Sequence, residues 1–290
     1  MNSKLAQLRA QLHAHAPLVI AYSGGVDSAY LLAEAHRTLG AQVLGVIADS
    51  PSLPRQALAD ALALAESIGA KVEVVKTDEF DNPAYLKNPP NRCYFCKAEL
   101  FTKLDALAAG RGFRAIAYGE NADDMKQERP GRKAAAEFSI LGPLRDAGLT
   151  KAEIRELSRE LGLPTADAPA QPCLSSRIPW GTPVTTAALG MIERSEEHVR
   201  RLGFQIFRVR HVVESGQPVR ARVPAPPPRR TTTSTGARSR GTTTASTTGS
   251  WMCGPRHARP RPRVAPAVRM PRALPHACTR RHRRSGSRSS

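Results

Sequence analysis

The run PLVIAYSGGVDSAYLLAEAHRTLG, residues 17–40, leaves a chain few ways to fold. A short apolar stretch, PLVIAYS (17–23), ends in two glycines, and VDSAYLLAEAHRTLG follows with apolar residues at helical spacing and a glycine stop. The order is strand, tight turn, helix. Two more apolar runs, AQVLGVIAD (41–49) and KVEVVKT (71–77), flank the helical segment SPSLPRQALADALALAESIGA, which Ser and Pro open. RAIAYG (114–119) supplies a fourth strand after a helix predicted from about Lys97 to Gly110. Strands that alternate with helices make a parallel sheet covered on both faces. The predicted fold class is α/β, a doubly wound parallel sheet.

Downstream, LTKAEIRELSRELGLP (149–164) is an amphipathic helix with Thr150 and Glu153 as a capping box and Gly162 and Pro164 as the stop. The loop QPCLSSR (171–177) follows. TPVTTAALGMIERSEEHVRRLGF and QIFRVRH then read as a helix and a strand of a smaller α+β piece. The expected organisation is a sheet domain over 1–145, a smaller domain over 146–211 and a segment of different character over 212–290. That last segment holds 17 Arg, no Lys and one acid, Glu214, so nearly all of the formal charge of +18 belongs to it and the rest of the chain is close to neutral. It is also rich in Pro, Thr and Ser and has no sustained apolar face. Such composition reads as disorder, because it cannot bury enough surface to offset ordering entropy. Its abrupt start after a well-patterned strand also fits a GC-rich gene read in a shifted frame, the reading we favour from composition.

SGGVDS, Ser23 to Ser28, has the make-up of a phosphate cradle. Gly24 and Gly25 let the backbone turn tightly and bring its N–H groups near a ligand. Ser23 and Ser28 supply hydroxyls, and the helix N-terminus favours an anion. The lysine of the GxxxxGK[ST] loop is absent, so the γ-phosphate chemistry of kinases and GTPases is not implied.

Cysteine spacing points to a second centre. Cys93 and Cys96 form a CxxC with Lys97 beside them, and Cys173 in QPCLSSR is the third cysteine of the body; Cys253 and Cys278 lie in the basic segment. Three thiolates suit a [4Fe–4S] cluster with one iron left open better than a closed tetrahedral zinc. A zinc with a fourth His or carboxylate, and cysteines that are simply buried, stay open as alternatives.

The strand, SGGVDS and helix together resemble the PP-loop ATP pyrophosphatase superfamily, whose fold is adenine nucleotide alpha hydrolase-like. RCYFCKAELF, GENADD, RPGRKAAAE, PLRDAGLTKAEIRELSRELGLPTADAPAQPCLSSRIPWG and FRVRH resemble its LarE family of sulfur transferases over about residues 5–211. That resemblance implies ATP cleavage between the α and β phosphates, with Ser23, Gly24, Gly25 and Ser28 on the departing pyrophosphate and Asp27 helping to hold Mg²⁺. It implies Asp49 and Ser50 near adenosine, and Asn121 and Asp124 beside ATP or substrate. Lys97, Ser176, Arg177, Arg208 and Arg210 would lie near ATP or the substrate phosphate. Arg208 and Arg210 alternate on a strand and so face one way, though a solvated strand face is the plain alternative.

The implied reaction is adenylation of a carboxylate of pyridinium-3,5-biscarboxylic acid mononucleotide followed by sulfur delivery, in nickel-pincer cofactor synthesis. Sulfur would come from Cys173 itself, the reacting residue of single-cysteine members, or from a sulfide carried on a cluster held by Cys93, Cys96 and Cys173; three cysteines favour the second. Other nickel-pincer maturation proteins and further copies of the chain are the implied partners, and further strands replace the basic segment in the family.

A tRNA thiolation enzyme of the same superfamily is the closest rival, and the near-neutral body argues against a nucleic-acid partner. A nucleotide sensor with a degenerate loop and an amidotransferase-type synthetase fit less well. No apolar run is long enough to span a bilayer and the N-terminus reads as an amphipathic helix, so a cytoplasmic enzyme without a membrane partner is expected.

Overall fold

The structure, a computed structural model, describes residues 2–126, 129–212 and 221–222. The expectations for Cys253, Cys278 and almost all of the 212–290 segment lie outside the described residues.

Helix α1 (Asn2–His15) leads into strand β1 (Leu18–Ala21), helix α2 (Val26–Leu39), strand β2 (Val43–Asp49), helix α3 (Arg55–Ile68) and strand β3 (Val72–Lys76). A short helix α4 (Pro83–Leu86) and the long α5 (Arg92–Arg111) precede strand β4 (Ala115–Tyr118). The four strands form one parallel sheet in the order β3-β2-β1-β4. The α/β reading is therefore met, and each strand lies within a residue or two of its apolar run.

Period-two alternation divides the core. Leu18 and Ile20 of β1 join Val43 and Ile47 of β2 under α1, α2 and α3, while Val19 and Ala21 join Leu44 and Val46 under α5. Helices α7 (Pro143–Asp146) and α8 (Lys151–Glu160) close the first face through Leu144, Ile154 and Leu157, and α6 (Pro130–Glu137) packs Ala134 and Ala135 on the second. A third apolar cluster stands apart from both. It joins Tyr85 of α4 to Leu174, Ile178 and Val184, and to Ala188, Leu189 and Ile192 of α9 (Thr186–Arg201), with Phe95 and Cys96 of α5 packed against it. The QPCLSSR loop thus has its own core.

Two boundaries differ from the sequence reading. Helix α5 begins at Arg92, not near Lys97, because the prolines that bar a helix end at Pro90 and Asn91 takes the N-cap position; both CxxC cysteines therefore sit on helix. The strand drawn from QIFRVRH is only β5 (Arg208–Val209), paired antiparallel with β6 (Ala221–Arg222). Among the described residues no helix is long and apolar enough to cross a membrane.

The capping box forms as read. Glu153 N–H donates to Thr150 Oγ1 at 3.3 Å, and Thr150 N–H donates to Glu153 Oε2 at 2.8 Å. Lys4 of α1 adds a 2.7 Å bond to the same carboxylate. Lys4, then the Thr150 backbone, hold the Glu153 pKa down to about 2. A carboxylate depressed on folding contributes stability above its unfolded pKa and loses it as pH falls through the folded one. Glu153→Gln is thus expected to lower the urea midpoint at pH 7, with the deficit narrowing as pH falls from about 4.5 toward about 2. A deficit that stays constant across that window would show that the charge of Glu153 contributes nothing.

Candidate active site

Strand order reverses between β1 and β4, and at such a switch point the loops leaving the carboxyl ends open a crevice. Ser23 to Ser28 fill it from β1. Gly24 has φ of 73°, and a Cβ there would stand 2.6 Å from that of Ala61 on α3, so the turn needs glycine twice over. Ser28 Oγ donates to Gly25 O at 3.1 Å, accepts from Ser23 N–H at 3.2 Å and lies 2.9 Å from Ser23 Oγ. These bonds hold the loop in shape at the N-terminus of α2, whose first N–H groups lack helical partners.

From β4 comes the second wall. Gly119 passes so close that a Cβ would lie 2.6 Å from Ser28 N. Asn121 Oδ1 accepts from the N–H groups of Asp123 and Asp124, which curls GENADD back toward Asp27. Asp27 Oδ2 accepts from Asn121 Nδ2 at 3.4 Å and Lys151 Nζ at 2.7 Å, while its buried Oδ1 accepts from no group among the described residues. That open carboxylate oxygen beside a phosphate cradle is a donor of the kind Mg²⁺ takes. Asp124 pairs with Arg129 at 2.8 Å, and buried Glu120 pairs with Arg132 and Arg145 at 2.9 and 2.6 Å. Lys151, Glu120 and these arginines escaped the sequence reading; the capping box, which puts Lys151 first in its helix, was the one available signal.

At the end of β2, Asp49 pairs with Arg55 at 2.7 Å, and Ser50 Oγ lies 2.8 Å from Ser52 Oγ. Ser52 O accepts from Leu174 N–H at 2.8 Å, so the QPCLSSR loop is tied to the strand end next to the phosphate loop.

Cys93 is exposed near the start of α5, whereas Cys96 and Cys173 are half-buried. The three sulfurs lie near enough that their charges oppose one another. Burial, then Glu79 and Cys173, push the Cys96 thiol up to about 12. Burial also raises Cys173, against the opposing pull of Arg92. Lys97 stacks over Tyr118 and Phe101, 5.0 and 5.5 Å from the ring centres, and burial lowers its pKa. Buried Glu79 accepts from Ser52 Oγ at 3.4 Å, and its Oε2 has no partner among the described residues. Among the described residues no three His, Cys, Asp or Glu side chains stand as a preassembled metal-holding group. The donor set, three cysteines around one partly buried region, is of the kind that iron–sulfur clusters take.

The arginines divide. Arg177 is buried: Nε and Nη2 donate to Glu196 at 2.8 and 3.1 Å, and Nη1 to Pro172 O, Cys173 O and Ser176 Oγ. It pins the cysteine loop to α9. Arg208 and Arg210 are exposed on either side of buried Val209. With Arg200 and Phe207 they line a cavity of about 820 Å³ that also reaches Pro172 and the Ala57–Asp60 stretch of α3. Ser176 is half-buried, its N–H on Cys173 O at 3.0 Å.

A parallel sheet with this strand order, a glycine loop after the first strand and an acidic turn after the fourth define a fold of the PP-loop class. No family model matches the chain. It is 45% identical over 210 residues to an uncharacterised protein of Synechocystis, covering 72% of this chain and 78% of that one. It is 33% identical over 211 residues to the pyridinium-3,5-bisthiocarboxylic acid mononucleotide synthase of Lactiplantibacillus plantarum, covering 72% and 76%. Argininosuccinate synthase of Methanocaldococcus jannaschii is 26% identical over 185 residues, 59% of this chain and 46% of that one. The chain belongs to the family of the pyridinium-3,5-bisthiocarboxylic acid mononucleotide synthase, the LarE family.

Proposed function

We propose that this chain is an ATP-dependent sulfur transferase acting on a pyridinium-3,5-biscarboxylic acid mononucleotide. The observation that carries the reading is the bond from Leu174 N–H to Ser52 O, which ties the Cys173 loop to the carboxyl end of β2, the strand paired with β1. The synthase name of the Lactiplantibacillus plantarum relative supplies the product class.

The backbone of 23–28 and the hydroxyls of Ser23 and Ser28 would bind the pyrophosphate end of ATP, with Asp27 Oδ1 holding Mg²⁺ and Asp49 and Ser50 near adenosine. Mg²⁺, when bound, supplies charge that offsets the departing pyrophosphate. A substrate carboxylate attacks the α-phosphorus: a C–O–P linkage forms, pyrophosphate leaves, and the poor acceptor becomes a mixed anhydride. Sulfur then bonds to the carboxyl carbon as the C–O bond breaks, and AMP departs with the electron pair. Asn121 and Asp124 border the nucleotide, Lys97 lies between the cysteines and that border, and Ser176 and Arg177 shape the cysteine loop. Arg208 and Arg210 would take the substrate phosphate in the cavity beside that loop, since guanidinium forks bind phosphate through paired hydrogen bonds.

Cys93, Cys96 and Cys173 would hold a [4Fe–4S] cluster, which when bound supplies an iron open to a transferable sulfide. Anaerobic protein is expected to contain iron and acid-labile sulfide, and zinc alone would remove the cluster from this reading.

With ATP and the biscarboxylate, the chain is expected to release pyrophosphate and AMP and to yield a thiocarboxylate by mass spectrometry. Cys173→Ser should keep pyrophosphate release and lose the sulfur product. Thiolation of tRNA in place of the pyridinium nucleotide would overturn the reading.

A further inference from the structure

Arg92 stands between the two cysteine segments in an unusual electrostatic setting. It is buried, yet its hydrogen-bond partners are two neutral oxygens and a thiol. Nη1 donates to Asn88 Oδ1 at 2.5 Å and to Ser175 O at 2.9 Å, and Nη2 stands 3.9 Å from Cys173 Sγ. The guanidinium also lies 6.0 Å from the centre of the Tyr85 ring. A buried cation met by neutral partners is costly to keep. Of the groups it reaches, the one that takes part in the proposed sulfur transfer is the sulfur of Cys173.

The support behind Arg92 is itself over-determined. Asn88 is fully buried with φ of 52°, a backbone conformation asparagine tolerates better than most residues and one that persists where surroundings enforce it. Its Nδ2 donates to Pro179 O at 2.7 Å and Thr182 O at 3.0 Å, and reaches Ile178 O at 3.3 Å. Gly181 N–H donates to Asn88 O at 3.0 Å. Asn88 therefore grips the stretch that follows QPCLSSR, and four residues later Arg92, the first residue of α5, grips the loop itself.

We propose that Arg92, seated by Asn88, is the positioning residue that holds the Cys173 sulfur against the CxxC helix for the sulfur-transfer step. The inference rests on the sulfur-transfer reading but assigns a residue which that reading does not use. Arg92 bonds to Asn88, Ser175 and Cys173 and not to the groups proposed to form the adenylate, which lie at the ends of β1, β2 and β4, so the two half-reactions separate its contribution from the rest.

The test follows Arg92→Gln, which removes the charge and the fork, and Arg92→Lys, which restores the charge. With ATP and the biscarboxylate, the ratio of thiocarboxylate formed to pyrophosphate released is expected to fall by about tenfold to a hundredfold in Arg92→Gln, the range in which small misplacements act. Arg92→Lys should recover part of it. An unchanged ratio would overturn the proposal; so would an equal loss of both products, which marks a general support of the fold.

Amide hydrogen exchange on the metal-free protein gives a second readout that needs no turnover. Exchange across 172–178 should rise in Arg92→Gln while 20–30 stays as in the wild type; equal protection at 172–178 would overturn the assignment. A wild-type chain that forms no thiocarboxylate would defeat the functional reading, and the exchange result would still decide whether Arg92 positions the Cys173 loop.

Discussion

Gly119→Ala is expected to destabilise the protein by about 1–3 kcal/mol, the usual cost of overpacking, and to abolish pyrophosphate release. The new Cβ would stand 2.6 Å from Ser28 N and 2.9 Å from Asp27 C, so the obstacle is backbone and no side-chain rotation relieves it. Either β4 moves out or the start of α2 moves away, and α2 carries the phosphate loop at its N-terminus. Gly110→Ala is the control. Gly110 lies inside α5 with open space where a Cβ would go, so alanine there should stabilise by up to about 1 kcal/mol through helix propensity. Thermal unfolding together with pyrophosphate release separates the two. A Gly119→Ala protein with wild-type nucleotide kinetics would show that β4 and α2 need no such close approach.

Arg177→Ala should cost about 3–5 kcal/mol, because it leaves Glu196 buried and unpaired and releases three acceptors on the cysteine loop. The side chains of the pair are 6% and 7% exposed, so the pair is largely shielded from water. Glu196 also accepts from Val209 N–H at 3.0 Å, which links the loss to β5 and to the cavity arginines. The double change Arg177→Met with Glu196→Leu should recover much of the stability, since an apolar pair removes the stranded charge. It should not recover sulfur transfer, because the bonds to Cys173 O and Ser176 Oγ are gone. Denaturant midpoints of the single and double variants measure this, and a single variant within about 1 kcal/mol of wild type would count against a buried, coupled pair.

Much of this architecture was readable before any coordinates. Apolar runs of strand length marked all four strands, the Ser-Gly-Gly turn marked the phosphate loop, and Thr150 with Glu153 marked the start of α8; each signal lies within a few residues of its own partners. The first turn of α5 was missed because the helix was predicted to start at about Lys97, whereas the last proline that bars a helix is Pro90 and α5 starts at Arg92. The arginines were read alike because composition does not distinguish a solvated guanidinium from a seated one. Arg208 and Arg210 line an open cavity, whereas Arg177 is fully engaged with Glu196 and the backbone of its own loop.

Local physics, written in periodicity, turn chemistry and capping, was enough for the α/β class, the glycine turn between β1 and α2 and the candidacy of three cysteines. Chain folding alone decided that Lys151 meets Asp27 across 124 positions, that Leu174 meets Ser52, and that Asn88 and Arg92 seat the segment around Cys173. Such pairings depend on which loops leave the same edge of the sheet and on which polar groups burial forces together, and neither is encoded in the spacing of nearby residues.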